Sequence, residues 1–372
     1  MSKAFLIFSG YNQRAIIAFC RECKRLGVPF CIVAKSLEDT ILLTSYKENV
    51  FAVRQEKALM VKDVDDCIIQ VKSKVKYQEF VVLPSSEFLN RFFLQNRTYY
   101  QRQDITIPLV SEPLYAMISN KHSFGELCQK YNLDIPCEIS ISALPEYPFV
   151  AKPRAYFSGG NLRTPPPSLI YTEKDWQEFL ETENFDDFYF QEFLTGKSIY
   201  LLYFISLYNR SVCFSQENLV QQAKGKSIIL ARSAKAHEEK IADEYETMLK
   251  KEGFEGLIMI ELKYKDGRYC MIEANPRLWG PSQLFVDAGV PIFEEFIRNQ
   301  GFNITSDSSE IKESMYFWNG GIVEDERNGY SIAFHDFSSE SLVIQMDLLL
   351  ENEIYLRDDT KFIYDQELKR LC

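Results

Sequence analysis

One hairpin constrains this chain more than any other feature, because it brings several oxygen-bearing side chains into one place. An apolar run from Gly256 to Tyr264 carries a single acid, Glu261. A Lys-Asp-Gly turn follows, and the returning strand reaches Glu273. An Asp-Gly pair between two apolar runs is a strong signal for a tight β-hairpin. The sequence therefore predicts that Glu261 and Glu273 lie close together.

The residues that close this hairpin favour metal and phosphate chemistry. Side chains alternate along a strand, so Glu273 and Asn275 point to the same face, and Pro276 ends the pairing because it lacks a backbone N–H. Two carboxylates and an amide oxygen suit Mg²⁺, which keeps several waters and also binds substrate phosphates. Arg277 adds a planar cation suited to a phosphoryl or acyl phosphate group. A plain hairpin with solvated acids is the alternative interpretation.

Composition limits the kind of partner. The 372 residues are 46% hydrophobic and carry a net charge of −11, which allows two or three domains and argues against a general nucleic-acid or anionic-membrane surface. A local basic cleft for phosphates is compatible with this charge. Nine scattered cysteines fit reduced thiols, and no apolar run approaches the roughly 18 residues of a membrane span. We expect a soluble, cytoplasmic protein that binds small molecules, without nucleic-acid or membrane partners.

The beginning of the chain alternates strands and helices in the manner of a parallel α/β unit. A strand-like run from Ala4 to Phe8 leads into a Ser-Gly break and an amphipathic helical pattern that ends at Gly27. A second apolar run then extends to Ala34, and this order predicts a Rossmann-like domain. The lone Gly10 lacks the spacing of a dinucleotide-binding fingerprint, so a tight structural turn explains it better than a dinucleotide site.

A second group of signals lies in the middle of the chain. A strand-like run ends with Lys152, and Ser158, Gly159 and Gly160 follow as a flexible turn. A lysine directed from a strand and the backbone amides of a glycine turn are what the phosphates of a nucleoside triphosphate require. The spacing is not that of a P-loop, and a surface hairpin tip explains the pattern about as well.

An aromatic strand and the segment after it form the third group. Gln191, Glu192, Phe193 and Leu194 end an aromatic run and precede a turn at Gly196. Such a segment can bind an adenine edge through its backbone and cover the base with apolar side chains, although core packing explains it equally well.

Two further features each have two interpretations. Arg232, late in an apolar strand, either binds an anionic group or forms an ion pair at the strand end. The aromatic run 315–321, with its two glycines, either forms a substrate-binding loop or packs against the preceding lobe.

Taken in order, these elements resemble the ATP-grasp superfamily, and they look closest to its carbamoyl-phosphate-synthase-like and amino-acid-ligase branches. The resemblance extends to about residue 300 and rests mainly on the final Glu-x-Asn-Pro-Arg motif. It implies a mixed α/β and α+β chain, namely an ATP-grasp fold behind an N-terminal Rossmann-like preATP-grasp domain. The expected units are that domain at 1–111, a small lobe at 112–190, a large lobe with the metal site at 191–303, and a C-terminal extension at 304–372 that packs on the large lobe.

The same resemblance implies which residues bind the nucleotide. Lys121 and Lys152 match positions that contact the phosphates of ATP, and the turn from Ser158 to Gly160 matches a loop that covers them. The adenine would lie against the segment from Gln191 to Leu194. Ser198 stands where family members often carry an acid that holds the ribose hydroxyls, so Glu192 would have to compensate.

The metal and the reacting groups are implied in the same way. Glu261, Glu273 and Asn275 match the ligands of one or two Mg²⁺ ions, for which Mn²⁺ can substitute. The positions near the transferred phosphoryl group and the acyl intermediate correspond to three cations: Arg277, Lys152 and Arg232.

The activity that the resemblance implies is ATP-dependent joining of a small-molecule carboxylate to an amine through an acylphosphate, with release of ADP. The enzymatic alternative is a carbamoyl-phosphate-synthase-like enzyme that phosphorylates bicarbonate. The alternative from another class is a non-catalytic ATP-binding regulatory protein. Because many relatives are dimers, a homodimer is also expected.

Overall fold

Three β-sheets organise the part of the chain that the computed structural model describes, which is residues 2–141, 146–154, 167–305 and 310–369. The strands are β1 (Lys3–Phe8), β2 (Phe30–Ala34), β3 (Val50–Val53), β4 (Glu79–Val82), β5 (Ile105–Thr106), β6 (Phe149–Pro153), β7 (Ser168–Ile170), β8 (Phe188–Glu192), β9 (Lys197–Ile205), β10 (Val212–Gln221), β11 (Ile228–Ala234), β12 (Gly256–Lys265), β13 (Arg268–Asn275), β14 (Met315–Phe317) and β15 (Ala333–Phe334). The helices are α1 (Gln13–Arg25), α2 (Val61–Lys74), α3 (Glu87–Gln95), α4 (Arg97–Gln101), α5 (Glu112–Ser119), α6 (Lys121–Lys130), α7 (Glu173–Thr182), α8 (Lys240–Lys251), α9 (Gln283–Asp287), α10 (Ile292–Asn299), α11 (Asn319–Arg327), α12 (Ser339–Ile344), α13 (Met346–Leu350) and α14 (Lys361–Lys369).

The first sheet builds the N-terminal domain. Its strands are all parallel and lie in the order β3-β2-β1-β4-β5. Every residue of β2 is buried, as expected for a parallel strand that is covered on both faces. Helix α1 covers one face, where the ring of Phe19 packs edge-on against Phe5 at 5.0 Å between centroids. This strand order is that of a Rossmann-like unit and confirms the predicted α/β class.

The second sheet belongs to a small lobe. Its three antiparallel strands lie in the order β7-β6-β8, and α7 packs on them. The core between sheet and helix is mostly aromatic, and the rings of Trp176 and Phe179 stack at 5.5 Å. Aromatic side chains bury a large area per residue, which lets so few elements form a core.

The third sheet is the largest and carries seven strands. The order is β13-β12-β9-β10-β11-β14, and β15 pairs with β10. Because side chains alternate along each strand, Leu201 and Ile260 pack against α5, α6 and α8, whereas Leu202 and Met259 point to the opposite face. That opposite face meets the N-terminal domain and carries the candidate site.

The predicted hairpin is formed by β12 and β13. Asp266 and Gly267 connect the strands with φ angles of 52° and 80°, which is the backbone of a primed two-residue turn. The pairing places Glu261 directly opposite Glu273 and Met259 opposite Asn275. The sequence-based prediction of this local geometry is therefore correct.

Two segments pack differently from what the predicted domains imply: the helix pair α5 and α6, and the C-terminal extension. Helices α5 and α6, which we assigned to the small lobe, pack on the large sheet through residues such as Ile118 and Phe124. The C-terminal extension contributes β14 and β15 to that sheet and does more than pack on it. The domain bounds themselves stay a prediction. Within the described ranges, none of the helices is both long and apolar enough to cross a membrane.

Candidate active site

A cleft of about 1350 Å³ lies between the small lobe, the open face of the large sheet and the start of the N-terminal helix α1. Most of the predicted site residues line this cleft. They belong to five different helices and strands or to the segments that directly follow them. The predicted residues that line the cleft are Lys121, Lys152, Glu192, Phe193, Leu194, Glu261, Glu273, Asn275 and Arg277.

The two acids of the hairpin form the centre of this lining. They are opposite each other across β12 and β13, and a β-bulge follows, because Leu262 pairs with Met271 and leaves Ile272 as an extra residue. Burial and the neighbouring Glu273 carboxylate raise the pKa of Glu261 to about 7. On the other side of Glu261, β9 places Tyr200 directly opposite it, and burial raises the pKa of that phenol well above its ordinary value.

Glu273 is held by a cation from outside the hairpin. The ammonium of Lys121 donates to Glu273 Oε2. Burial alone would raise the pKa of this carboxyl, but the Lys121 ammonium, with Asn275 and Arg277, lowers it to about 2. Lys121 is the first residue of α6, whose N-terminus is capped by the side chain of Asn120. The cap thus sets the position from which Lys121 reaches the carboxylates.

The residues after Glu273 form a chain of hydrogen bonds along the cleft wall. Asn275 Nδ2 donates to Glu273 Oε1 at 2.7 Å, and Arg277 Nη2 donates to Asn275 Oδ1 at 2.8 Å. Arg277 Nη1 donates to the carbonyl oxygen of Leu278 at 3.0 Å. The guanidinium is therefore oriented by its own segment, beside the carboxylate pair.

Lys152 approaches the carboxylates from the small lobe. It lies near the end of β6, is 5% exposed, and donates to the carbonyl oxygen of Ile272 at 3.3 Å. Burial, together with the Lys121 ammonium, lowers its pKa to about 8. In the described structure, no carboxylate lies at hydrogen-bond distance from this buried ammonium. It is therefore suited to bind an anionic group of a ligand.

The predicted adenine segment follows β8. Glu192 Oε1 accepts from the backbone N–H of Cys137 at 2.8 Å, and the ring of Phe193 meets Tyr171 at 5.4 Å. Gly196, with φ of 119°, closes the segment so near β12 that a Cβ there would lie 2.5 Å from the carbonyl oxygen of Tyr264. Only glycine fits this approach.

The side chains of two residues that were predicted to bind the nucleotide lie outside the cleft. Gln191 is buried and donates to the carbonyl oxygen of Pro136 at 3.1 Å. Ser198 is 1% exposed and accepts from Asn218 Nδ2 at 3.0 Å. Neither side chain belongs to the described lining of the cleft, since each is directed into the protein.

Arg232 shows the second of its two interpretations. It forms an ion pair with Glu217, at 2.7 Å from Nη2 to Oε2, and lies outside the described lining of the cleft. Glu217 also binds Lys197, which follows the adenine segment and does line the cleft. The expected loop Ser158, Gly159, Gly160 lies outside the described residues.

Sequence reasoning missed the contribution of both chain ends to the cleft. Asn12, the residue before α1, and Arg14, in its first turn, line the cleft. His335 and Asp336 of the C-terminal extension line it as well. The sequence marks the Ser-Gly break before α1, but it carries no signal that this turn faces residues near 280. Trp318, in the predicted aromatic loop, is 7% exposed and packs beneath Arg14.

Comparison with known proteins identifies the fold. No protein-family model and no curated protein matches the sequence. The structure resembles biotin carboxylase of Campylobacter jejuni in its β,γ-ATP complex, with a TM-score of 0.58 and 17% identity over 83% of this chain and 74% of that one.

Two further similar structures come from other enzymes. The biotin carboxylase domain of Hydrogenobacter thermophilus 2-oxoglutarate carboxylase, a dimer with MgADP and bicarbonate, gives a TM-score of 0.63 and 14% identity over 94% of this chain and 89% of that one. N5-carboxyaminoimidazole ribonucleotide synthetase of Thermus thermophilus gives 0.62 and 12% over 94% of this chain and 98% of that one. These likenesses show that the chain has the ATP-grasp fold behind a Rossmann-like domain.

Proposed function

We propose that this protein is an ATP-dependent ligase that joins a small-molecule carboxylate to an amine through an acylphosphate and releases ADP. One observation carries the proposal: a pair of directly opposed carboxylates, three of the predicted cations and the apolar side chains after β8 line a single cleft between two lobes. A carboxylate pair surrounded by cations is what a metal-nucleotide complex requires. Two of the similar structures are complexes with ADP or an ATP compound, which supports ATP as the co-substrate here.

The donor set fits Mg²⁺. Glu261, Glu273 and Asn275 supply hard oxygen atoms, and the two acids share a mostly buried position. Burial and the neighbouring Glu273 carboxylate raise the pKa of Glu261, so a cation bound between the two acids would stabilise their charged forms. Bound there, Mg²⁺ would neutralise charge on the phosphates of ATP. Within the described residues, no group of three or more His, Cys, Asp or Glu side chains could hold a metal ion by itself.

The predicted cations would act in the two chemical steps of the reaction. Lys152 and Lys121 would bind phosphate oxygens, and Arg277 would contact the group that is transferred. Their positions beside the carboxylate pair support these roles. In the first step, a carboxylate oxygen of the substrate attacks the γ-phosphorus and ADP leaves. In the second, the amine nitrogen attacks the acyl carbon, phosphate leaves, and the nitrogen loses a proton. Fixed cations stabilise the charge that spreads over the phosphoryl oxygens in the first step.

A second candidate is phosphorylation of bicarbonate. It is favoured by one observation, the bicarbonate in the similar Hydrogenobacter thermophilus domain. Bicarbonate would replace the organic carboxylate in the same first step. We also propose a homodimer, because that similar domain is a dimer.

The test is ADP release by the purified protein with Mg²⁺ and ATP, against separate panels of carboxylates, amines and bicarbonate, with product masses recorded. Release that requires one carboxylate and one amine, with a condensed product, supports the ligase. Release that requires bicarbonate alone supports the second candidate. Tight ATP binding without turnover supports a non-catalytic nucleotide-binding protein, and absence of ATP binding contradicts all three.

A further inference from the structure

We propose that the substrate activated in this cleft carries a second anionic group, a carboxylate or a phosphate, and that Arg14 binds it. This inference rests on the proposed function, because it assigns the substrate class of the same site. The evidence comes from one end of the cleft, which is formed by α1 and the segment after β13. The residues assigned to the nucleotide and the metal do not occupy this end.

Arg14 is held rigidly at the wall of the cleft. Its Nη1 donates to the carbonyl oxygen of Ile228 at 3.1 Å and to the hydroxyl of Tyr316 at 3.0 Å. The guanidinium also lies over the ring of Trp318, with Cζ 3.7 Å from the ring centroid. Contacts with β11, β14 and the residue after β14 therefore fix one edge of the guanidinium.

The other edge of Arg14 has no such partner. Within the described ranges, Arg14 forms no ion pair with a carboxylate, and both of its hydrogen bonds use Nη1, which leaves Nε and Nη2 free. Two other arginines of the same helix are different, since Arg21 pairs with Asp359 and Arg25 with Glu22. Glu353 interacts with Arg14 electrostatically but forms no ion pair with it, because its oxygens accept from the backbone N–H groups of Asn319 and Tyr355. The free edge of the immobilised guanidinium can therefore bind an anionic group of a ligand.

Gly280 lies against the flat face of the Arg14 guanidinium. A Cβ at position 280 would lie 3.2 Å from Arg14 Nη2 and 3.4 Å from its Cζ. These distances place the Cβ above the plane of the guanidinium, so a side chain there would press on its face, whereas the edge formed by Nε and Nη2 lies in the plane and is open. Because two parallel N–H groups match a carboxylate or a phosphate, this edge is a ready bidentate binding site.

The position of Arg14 relative to the reacting centre suggests how the substrate lies. The carbonyl oxygen of Leu278 accepts both from Arg277 Nη1 at 3.0 Å and from Asn12 Nδ2 at 2.9 Å. The segment from Leu278 to Gly280 therefore connects the arginine at the carboxylate pair with the arginine of α1. Both arginines line the same cleft. A substrate with its reacting carboxylate near Arg277 can extend along this segment to Arg14.

The size and charge of the cleft agree with this arrangement. Its volume of about 1350 Å³ exceeds the roughly 300–1,000 Å³ of an ordinary small-molecule pocket, so a second substrate has room beside a nucleotide. Lys226 also lines the cleft and adds positive charge there. It lies two residues before Ile228, whose carbonyl oxygen accepts from Arg14. The substrate end of the cleft is thus built for an anion.

The test uses three probes of similar size: succinate, 3-phosphonopropionate and butyrate. Their binding is measured by calorimetry to the full chain saturated with Mg²⁺ and the non-hydrolysable analogue AMP-PNP, so that the phosphate-binding lysines are occupied. We expect at least one dianion to bind 10-fold or more tightly than butyrate. Preference for succinate identifies a carboxylate as the second group, and preference for the phosphonate identifies a phosphate. Equal binding of all three probes would overturn the proposal.

Two variants assign the effect to Arg14. Arg14→Met should weaken the preferred dianion at least 10-fold and leave butyrate unchanged. Gly280→Ala places a Cβ 3.2 Å from Arg14 Nη2, over the face of the guanidinium, so it should displace the guanidinium and weaken the dianion at least 3-fold. Arg210→Met, on an exposed turn, is the matched control and should bind as the wild type does. Unchanged dianion binding in both Arg14→Met and Gly280→Ala would exclude this site.

Failure of this inference differs from failure of the proposed function. If the wild type does not bind Mg²⁺ with AMP-PNP, the proposed function fails. If it binds the nucleotide but does not distinguish the dianions from butyrate, only the Arg14 inference fails.

Discussion

Glu261 and Glu273 lie directly opposite each other across the β12–β13 hairpin, and they differ in their partners. Glu273 accepts from the Lys121 ammonium, whereas Glu261 lies opposite the phenol of Tyr200. Burial and the Glu273 carboxylate raise the pKa of Glu261 to about 7, whereas the Lys121 ammonium lowers the pKa of Glu273 to about 2 despite its burial. Two similar side chains thus occupy opposite charge environments, a pattern typical of sites that bind a metal ion or perform acid–base chemistry.

Replacing Glu273 with Gln should abolish most turnover without unfolding the protein. The change keeps the side-chain volume but removes the charge that Lys121 and the proposed metal require. We expect kcat for ADP release to fall by at least about 100-fold, the size of effect seen when one charge-stabilising group is lost. Glu313→Gln, at an exposed position, is the control. Wild-type turnover in a folded Glu273→Gln protein would refute the metal assignment.

Replacing Lys152 with Met should separate stability from nucleotide binding. Because the ammonium is 5% exposed and burial lowers its pKa to about 8, an apolar side chain of similar length should leave the free energy of unfolding unchanged or raise it. The affinity for ATP should fall by at least about 10-fold, since one phosphate contact is lost. Urea unfolding and ATP titration measure the two effects, with Lys174→Met on exposed α7 as the control. Lower stability with unchanged ATP affinity would contradict the assigned role.

Two glycine substitutions should distinguish a close approach from backbone strain. Gly196→Ala places a Cβ 2.5 Å from the Tyr264 carbonyl oxygen, so it should displace the adenine segment and weaken ATP binding. Gly267→Ala meets nothing within 4 Å, and its φ of 80° should cost only about 1 kcal/mol of stability. Nucleotide titration and urea unfolding of both variants provide the comparison. Equal ATP affinity in the two variants would argue against a role for the segment in adenine binding.

His335 should make the protein sensitive to acid. Burial, together with the Lys263 ammonium, lowers the pKa of His335 to about 4 from an ordinary value of 6.5. Between these pH values the unfolded chain binds more protons, so the contribution of His335 to stability is present above about pH 6.5 and is lost as the pH falls toward 4.

The measurement compares wild type with His335→Gln by urea unfolding at pH 7, 5.5 and 4. Gln keeps a hydrogen-bonding group near Gln221, which contacts His335 Nε2 at 3.0 Å. Relative to the variant, the wild type should lose about 2 kcal/mol across this range, after allowance for partial exposure. Parallel stability profiles for the two proteins would show that His335 is not the titrating group.

Local sequence determined much of the candidate site. The Asp-Gly pair, the alternation along β13 and the proline after Asn275 were sufficient to predict the hairpin and the carboxylate pair. The near-continuous apolar strands of the first sheet were likewise sufficient for the Rossmann-like domain. These features depend on neighbours within a few residues, where turn geometry and side-chain alternation leave few alternatives.

Contacts between distant segments decided the rest. The register of β9 against β10 directs Ser198 into the protein. Arg232 forms an ion pair with Glu217 on the adjacent strand. Arg14 lies in the cleft because Tyr316, 302 residues away, and Trp318 hold it there. A single sequence specifies which residues can bind a phosphate or a metal, but which of them meet depends on strand order and sheet face, and packing of the whole chain sets those.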